Sequence, residues 1–231
     1  MKIHDILESQ TLEEGPNDPH IFKAVFLAGG PGSGKSFVAN KMLGGTGLKA
    51  IDSDMIYEYM ADKQGLDLSD PEQVASDAGQ EVRNHAKHLA TKRRNIYLDG
   101  RLGVIIDGTG KDVNSVKTAQ ENLRKIGYES MMIFVNTNLQ VAQERNAKRA
   151  RTIPAEMVKT MWQSVQNNIM KFQQIFGASN FHVVDNSGGL EDPSRSENFE
   201  HVYKSVQKFL NNPPTARAAK AWLVTANSSK L

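Results

Sequence analysis

A glycine-rich loop carries the residues with the most specific chemistry, Gly29-Gly30-Pro31-Gly32-Ser33-Gly34-Lys35-Ser36. It matches the pattern G-x-x-x-x-G-K-[ST] without departure, and its glycines let backbone N–H groups approach phosphate oxygens. In this pattern Lys35 reaches the β- and γ-phosphates and the Ser36 hydroxyl binds Mg²⁺. The helix expected to follow begins with Ser36 and Phe37, and the positive end of its dipole points at the same site. We therefore predict that residues 29–37 bind a nucleoside triphosphate, ATP or GTP, together with Mg²⁺.

Two carboxylates follow a short predicted strand in residues 50–54, which have the sequence AIDSD. The carboxyl end of a strand is the edge of an open α/β sheet where ligands bind. A hydroxyl that accepts a phosphoryl group needs a base within hydrogen-bond reach of its proton, and we predict Asp54 as that base. Asp52 either supports this base and contacts the substrate or caps the next helix.

A third carboxylate lies in residues 105–110, which have the sequence IIDGTG. Asp107 stands where an acid holds Mg²⁺ directly or through water, although an aspartate there also suits a turn or a helix cap. Thr109 in the following turn and Arg101 before the strand are, with Asp52, the predicted substrate contacts. A single acid followed by a flexible turn differs from the adjacent acids that end the Walker B strand of motor and AAA-type ATPases.

Three arginines form the last predicted element of the site. Arg145 and Arg149 are four residues apart and therefore share one helix face. Arg151 precedes the sequence TIP, where the chain must leave the helix and begin another. Such an arginine-rich loop between two helices closes over a triphosphate, and its guanidinium groups stabilise the transferring phosphoryl group. The alternative is an exposed basic helix end, favoured by the helix dipole.

The elements that position these residues alternate between short apolar runs and helical stretches. The runs are residues 24–28, 49–51, 104–106, 131–135 and 181–184. Continuous apolar runs are typical of parallel strands buried on both faces. The helical stretches are residues 36–43, 80–94, 113–126, 139–150, 155–176 and 199–210. This alternation predicts an α/β fold with a parallel sheet and helices on both faces.

Composition and charge exclude several classes of protein. Apolar residues make up 39% of the chain and charged residues 23%, which is enough to form an ordered core. No run of about 18 apolar residues occurs, so we expect no membrane span. The absence of cysteine excludes disulfides and thiolate zinc sites and suits a reducing cytoplasm. A net charge of +2 provides no overall attraction for nucleic acid or anionic lipid.

Taken together, the motifs G-x-x-x-x-G-K-S, I-D-S-D, I-I-D-G-T and R-N-A-K-R-A-R-T-I-P resemble P-loop kinases of the zeta-toxin and polynucleotide-kinase-like group. The resemblance spans residues 22–185. It implies the three-layer α/β P-loop NTPase fold, with a mostly parallel five-stranded sheet and helices on both faces. It also implies an aspartate base at Asp54, lid arginines among Arg145, Arg149 and Arg151, and Mg²⁺ with ATP or GTP. The layout also resembles zeta-like proteins of large tailed phages, which would place the protein in the cytoplasm of a host. We divide the chain into an acidic extension (1–20), a P-loop kinase domain (21–210) and a tail (211–231), which is loose or docks through residues 222–224.

The resemblance leaves the acceptor open. Zeta toxins phosphorylate UDP-activated amino sugars, whereas relatives phosphorylate 5′-hydroxyls or hydroxymethylated bases of nucleic acids. Residues 51–80 carry eight acids and one lysine, which favours a small metabolite, nucleotide or nucleotide-sugar. Residues 81–101 carry six basic and two acidic residues, which favours nucleic acid. A third hypothesis is a nucleotide-driven binding or regulatory protein without an acceptor, but such a protein needs no base. The sequence does not indicate an oligomeric state.

Overall fold

The computed structural model describes residues 18–149, 152–188 and 193–228, with only the backbone at 193–195 and 227. Most of the predicted N-terminal extension lies outside these ranges, as does Arg151. None of the helices within the described ranges is long and apolar enough to cross a membrane.

Five strands form a single parallel sheet in the order β2-β3-β1-β4-β5. They are β1 (Lys23–Ala28), β2 (Lys49–Ile51), β3 (Val104–Asp107), β4 (Glu129–Asn136) and β5 (Phe181–Asp185). All six residues of β1 are buried, as expected for a central strand that is covered on both faces. The predicted α/β fold, with a five-stranded sheet and helices on both faces, is therefore confirmed.

The described helices connect these strands and cover both faces of the sheet. They are α1 (Lys35–Leu43), α2 (Ser53–Lys63), α3 (Pro71–Ala75), α4 (Asp77–Asp99), α5 (Val113–Lys125), α6 (Leu139–Ala147), α7 (Ala155–Gln166), α8 (Ile169–Phe176), α9 (Pro193–Asn211) and α10 (Arg217–Ser228). The helix predicted over residues 155–176 is in fact two helices, because the chain breaks at Asn167 and Asn168. The side chain of Asn168 is buried at this break and donates hydrogen bonds to the turn after β3.

Two apolar layers sandwich the sheet. On one face, Phe26 and Phe134 of the sheet pack with Phe172 and Phe176 of α8. On the other face, helices α1 and α9 pack on the strands through Val38, Met42, Val202, Val206 and Leu210. Because every strand runs in the same direction, all five carboxyl ends lie along one edge of this sandwich, and the loops that follow them meet there.

The C-terminal segment packs at the opposite, amino edge of the sheet. The Trp222 ring of α10 meets Phe22 edge-on, with 5.5 Å between ring centroids. Ala219 is fully buried against Gly127. Val224, in contrast, is 69% exposed. Within the described residues of the tail, Trp222 therefore makes the contact with this edge of the sheet.

Candidate active site

The glycine-rich loop joins the end of β1 to the start of α1 through a tight turn. Gly32 and Gly34 have φ angles of +74° and +85°, a region that side chains rarely adopt. A Cβ atom on Gly32 would lie 2.2 Å from the Ala142 carbonyl oxygen, and one on Gly34 would lie 2.3 Å from the side-chain nitrogen Nδ2 of Asn186. Both positions therefore require glycine, for backbone conformation and for space.

A crevice of about 270 Å³ opens above this loop. Its walls combine the loop, the first residues of α1 and two of the predicted lid arginines: Gly30, Pro31, Gly32, Ser33, Gly34, Lys35, Ser36, Arg145 and Arg149. The structure thus brings Arg145 and Arg149 to the residues predicted to bind phosphate. Phe37 turns the other way and packs against Phe199 of α9, with 6.1 Å between ring centroids.

Lys35 lies in this crevice among charges of both signs. Its Nζ donates a hydrogen bond to the Gly29 carbonyl at 3.0 Å. Burial lowers the pKa of Lys35; the carboxylate of Asp107 opposes this shift most strongly, and Arg149 adds to it. Burial and a neighbouring arginine both disfavour the charged form of a lysine, and a bound anion favours it. These surroundings suit a lysine that binds phosphate.

Asp107 is the last residue of β3 and lies beside Leu27 of β1. The next amide, that of Gly108, donates to the Leu27 carbonyl at 3.1 Å, which fixes the direction in which β3 ends. Asp107 is exposed to solvent at the end of the strand, although protein surrounds part of its carboxylate. This partial burial raises the pKa of Asp107, and the charge of Lys35 opposes the shift. Asp107 and the exposed Ser36 carry oxygen groups of the kind that Mg²⁺ prefers as ligands.

The two aspartates after β2 have different roles in the structure. Asp52 caps α2: its Oδ1 accepts hydrogen bonds from the amides of Asp54 at 2.8 Å and Met55 at 3.2 Å. Asp54 lies in the first turn of α2 with its side chain exposed. Both carboxylates act electrostatically on Lys35 and Asp107. The structure therefore brings both to the site, with Asp52 in the capping role.

The two other predicted substrate contacts, Thr109 and Arg101, lie at opposite edges of the sheet. Thr109 is at the site, where its carbonyl accepts the Gly29 amide at 3.2 Å and joins the turn after β3 to the phosphate loop. Arg101 is at the opposite edge of the sheet, because it precedes β3 whereas the site follows it. Its carbonyl accepts the Phe22 amide at 2.9 Å, and its guanidinium donates to the Leu98 carbonyl. Arg101 therefore closes the loop between α4 and β3 and does not join the site residues.

Three buried asparagines also reach the loops of the site, and the sequence analysis did not predict a role for any of them. Asn186, directly after β5, donates to the Ser33 carbonyl at 2.7 Å. Asn168, before α8, donates to the carbonyls of Gly110 at 3.0 Å and Lys111 at 3.1 Å. Each side chain thus fixes one loop: the phosphate loop for Asn186 and the turn after Asp107 for Asn168.

Asn146 does the same for the arginine-bearing loop. Its side-chain amide donates to the Ile153 carbonyl at 2.8 Å and accepts from the Ile153 amide at 3.3 Å, which links α6 to the start of α7. This double hydrogen bond spans the loop that begins beside Arg149. The available sequence signal was weak: single asparagines at helix breaks and strand ends, where exposed asparagines are equally common.

Comparisons with known proteins agree with this geometry. The chain is 24% identical over 156 residues to a cytidylate kinase of Methanopyrus kandleri, covering 66% of this chain and 76% of that protein. It is 20% identical over 195 residues to a cytidylate kinase of Sulfurisphaera tokodaii, covering 81% of this chain and 94% of that protein.

Solved structures with the same fold include the PezAT toxin–antitoxin system of Streptococcus pneumoniae, with a TM-score of 0.56, 14% identity and coverage of 91% of this chain and 93% of that one. The complex of AvrRxo1-ORF1 and ORF2 with ATP superposes with a TM-score of 0.55 and 12% identity, over 89% of this chain and 80% of that one. These similarities confirm the predicted fold. The Zeta toxin family model matches residues 8–193, and the chain therefore belongs to the Zeta toxin family.

Proposed function

We propose that this P-loop kinase transfers the γ-phosphate of ATP or GTP to a hydroxyl of a small metabolite, nucleotide or nucleotide-sugar. The observation that carries the proposal is the crevice in which the phosphate loop, Lys35 and two arginines meet. The family match supports a P-loop phosphotransferase. The similarity to cytidylate kinases, whose name gives a nucleotide as their substrate, supports an acceptor of that class.

The phosphate loop binds the donor. Backbone amides of the loop and the N-terminus of α1 hold the β-phosphate, and Lys35 contacts the β- and γ-phosphates. Ser36 and Asp107 would hold Mg²⁺, which would supply positive charge next to these phosphates. Arg145 and Arg149 on the other wall of the crevice stabilise the negative charge of the transferring group.

Asp54 activates the acceptor in this proposal. Its carboxylate takes the proton of the acceptor hydroxyl as the hydroxyl oxygen forms a bond to the γ-phosphorus. The bond from the γ-phosphorus to the bridging oxygen breaks at the same time, and the nucleoside diphosphate leaves with that electron pair. Asp54 suits this role because its carboxylate is exposed near Lys35, whereas the Asp52 carboxylate is occupied in capping α2.

A nucleic-acid acceptor is the second candidate, and a surface groove favours it. The groove has a volume of about 450 Å³, lies between α5 and α8 and includes Lys117, Arg124 and Lys171, together with Glu121, whose carboxylate lies 4.0 Å from the Lys117 ammonium. Lys111, which follows the turn after Asp107, extends the row of cations toward the site. Binding of a strand along such a groove would weaken steeply with salt, because bound counterions are released for each phosphate contacted.

The proposal is tested with γ-labelled ATP, Mg²⁺ and a cell extract separated into small-molecule and nucleic-acid fractions. We expect label in the small-molecule fraction, and none with Lys35→Ala. Label in nucleic acid would support the second candidate and contradict the first. Release of free phosphate alone would favour a protein that uses the nucleotide to drive a partner interaction.

A further inference from the structure

We infer that Asn186 is a positioning residue for the donor nucleotide: by holding the Ser33 carbonyl, it points the N–H of Gly34 into the phosphate crevice. The inference rests on the proposed function in that it assumes the donor phosphates lie in this crevice. It adds a residue outside the glycine-rich loop to the machinery that binds them.

The contact that orients the loop is short and buried. Asn186 is only 2% exposed, and its Nδ2 donates to the Ser33 carbonyl at 2.7 Å. This contact joins residues 153 positions apart in the chain, so the loop alone does not create it. Its counterpart from within the loop is the weaker turn hydrogen bond from the Ser33 amide to the Gly30 carbonyl at 3.2 Å.

The geometry of the peptide bond converts this contact into an anion site. The peptide between Ser33 and Gly34 is trans, so its carbonyl and its N–H point in opposite directions. Asn186 holds the carbonyl on the side of β5, which turns the Gly34 N–H to the other side, toward the crevice that Gly34 lines. Among the described residues this N–H has no backbone acceptor. It is therefore available to a phosphate oxygen before the ligand arrives, and little reorganisation is needed on binding.

Asn186 is itself fixed on both sides. Its backbone N–H donates to the Asn136 carbonyl of β4 at 2.9 Å, and its carbonyl accepts from the Thr137 hydroxyl at 3.5 Å. Gly34 approaches so closely that a Cβ atom there would lie 2.3 Å from Nδ2. The glycine thus has a second function besides its positive φ angle, because any side chain at this position would displace Asn186.

The test uses Asn186→Ala and the isosteric Asn186→Asp, with Asn198→Ala as a matched control. Asn198 also stabilises the end of β5, accepting from the Asp185 amide at 3.0 Å and donating to the Val183 carbonyl at 3.2 Å, and neither of these hydrogen bonds involves the phosphate loop. Dissociation constants for ADP, AMP and inorganic pyrophosphate are measured by calorimetry, and the thermal midpoint of each variant is recorded.

We expect Asn186→Ala to weaken ADP and pyrophosphate binding about tenfold or more, the effect of one lost hydrogen bond to a charged group, with little change for AMP. Asn186→Asp should weaken them further, because its carboxylate repels both the Ser33 carbonyl and the ligand. Asn198→Ala should lower the thermal midpoint and leave the ratio of ADP to AMP affinity unchanged.

Two outcomes would overturn the inference: an unchanged ratio of ADP to AMP affinity in both Asn186 variants, or an equal change of that ratio in Asn198→Ala. If Asn186→Ala does not fold, the isosteric Asn186→Asp decides. Failure of the proposed function is distinguishable, since a wild-type protein that binds ADP through Asn186 and transfers no phosphate would contradict only the transfer reaction.

Discussion

Two lysines at opposite edges of the sheet show how differently this fold uses a buried cation. Lys23 begins β1 at the amino edge, is 1% exposed, and lies 2.5 Å from the Glu129 carboxylate. Its Nζ also lies 4.7 Å from the centroid of the Phe209 ring. Lys35, after the same strand at the carboxyl edge, donates to a backbone carbonyl. None of the ion pairs found among the described residues involves Lys35.

This difference between the two lysines indicates that the charges at the amino edge stabilise the fold, whereas Lys35 at the carboxyl edge is placed to bind a ligand. At the amino edge Lys23 and Glu129 are partners within the fold: Lys23 binds Glu129, and Glu129 also accepts from the Thr215 amide at 2.7 Å and its hydroxyl at 2.6 Å. This network fastens the segment before α10 to the sheet. At the carboxyl edge Lys35 is held away from its nearest carboxylates, so its charge remains available to an anionic ligand.

Replacing each lysine by methionine should have opposite effects on phosphoryl transfer and on the free energy of unfolding. Lys35→Met should lower phosphoryl transfer on the order of 10⁴-fold, because it removes the positive charge that stabilises the transferring phosphoryl group. Its free energy of unfolding should stay level or rise, since a buried unpaired ammonium is removed. Lys23→Met should keep transfer and lower the free energy of unfolding by about 2–3 kcal/mol, below the value for a fully buried pair because Glu129 retains contact with water.

Urea titration and single-turnover transfer measure the two effects on the same samples. A large loss of transfer in folded Lys23→Met would show that the amino edge contributes to the site. A loss of stability in Lys35→Met would show that Lys35 is a structural cation like Lys23.

The two aspartates after β2 extend the comparison to the carboxyl edge itself. Asp54→Asn should lower transfer on the order of 10³-fold, because an amide takes no proton from the acceptor hydroxyl, and should leave ADP affinity nearly unchanged. Asp52→Asn should have a small effect on both, since asparagine is an equally good cap for α2. Pre-steady-state transfer and ADP titration check this pair. Collapse of transfer in Asp52→Asn, with survival in Asp54→Asn, would reverse the assignment of the base.

Local patterns were sufficient to predict most of the carboxyl edge. The phosphate loop, the aspartates after two strands and the arginines four residues apart are each contained in a short segment, and parallel strands bring the ends of such segments to one edge. Arg101 was misplaced for the same reason. It is close to Asp107 along the chain, but a strand lies between them and takes them to opposite edges of the sheet.

The residues that hold the loops could not be predicted in this way. Asn186 and Asn168 act on segments more than fifty positions away, and only the packed fold brings these groups together. Asn168 also explains why one predicted helix is two. Burial decides whether an asparagine binds water or a loop, and no local pattern of these residues distinguishes the two cases. The docking of Trp222 on Phe22 depends in the same way on tertiary contact.

The smallest expected effect is a difference in pH dependence between the two edges. At the amino edge, burial alone would raise the pKa of Glu129, but hydrogen bonds from Lys23 and Thr215 outweigh it and lower the pKa below its ordinary value of 4.5. The stability that this group contributes is therefore fully present above pH 4.5 and is lost as the pH falls through the lower, folded value. Glu129→Gln should lower the free energy of unfolding at neutral pH, because it leaves the buried Lys23 ammonium without its counterion, and the difference from wild type should shrink in acid.

Asp107 at the carboxyl edge should show the opposite sign. Burial raises its pKa above the ordinary value of 3.8, so its ionised form opposes folding at neutral pH and this cost disappears as the carboxyl is protonated. Asp107→Asn should therefore raise the free energy of unfolding at neutral pH, with the gain vanishing in acid. Urea titrations of both variants from neutral pH to about pH 3, near the ordinary pKa of an aspartate, measure the two signs. Equal signs would mean that Asp107, like Glu129, is held by partners within the fold and is not kept for a ligand.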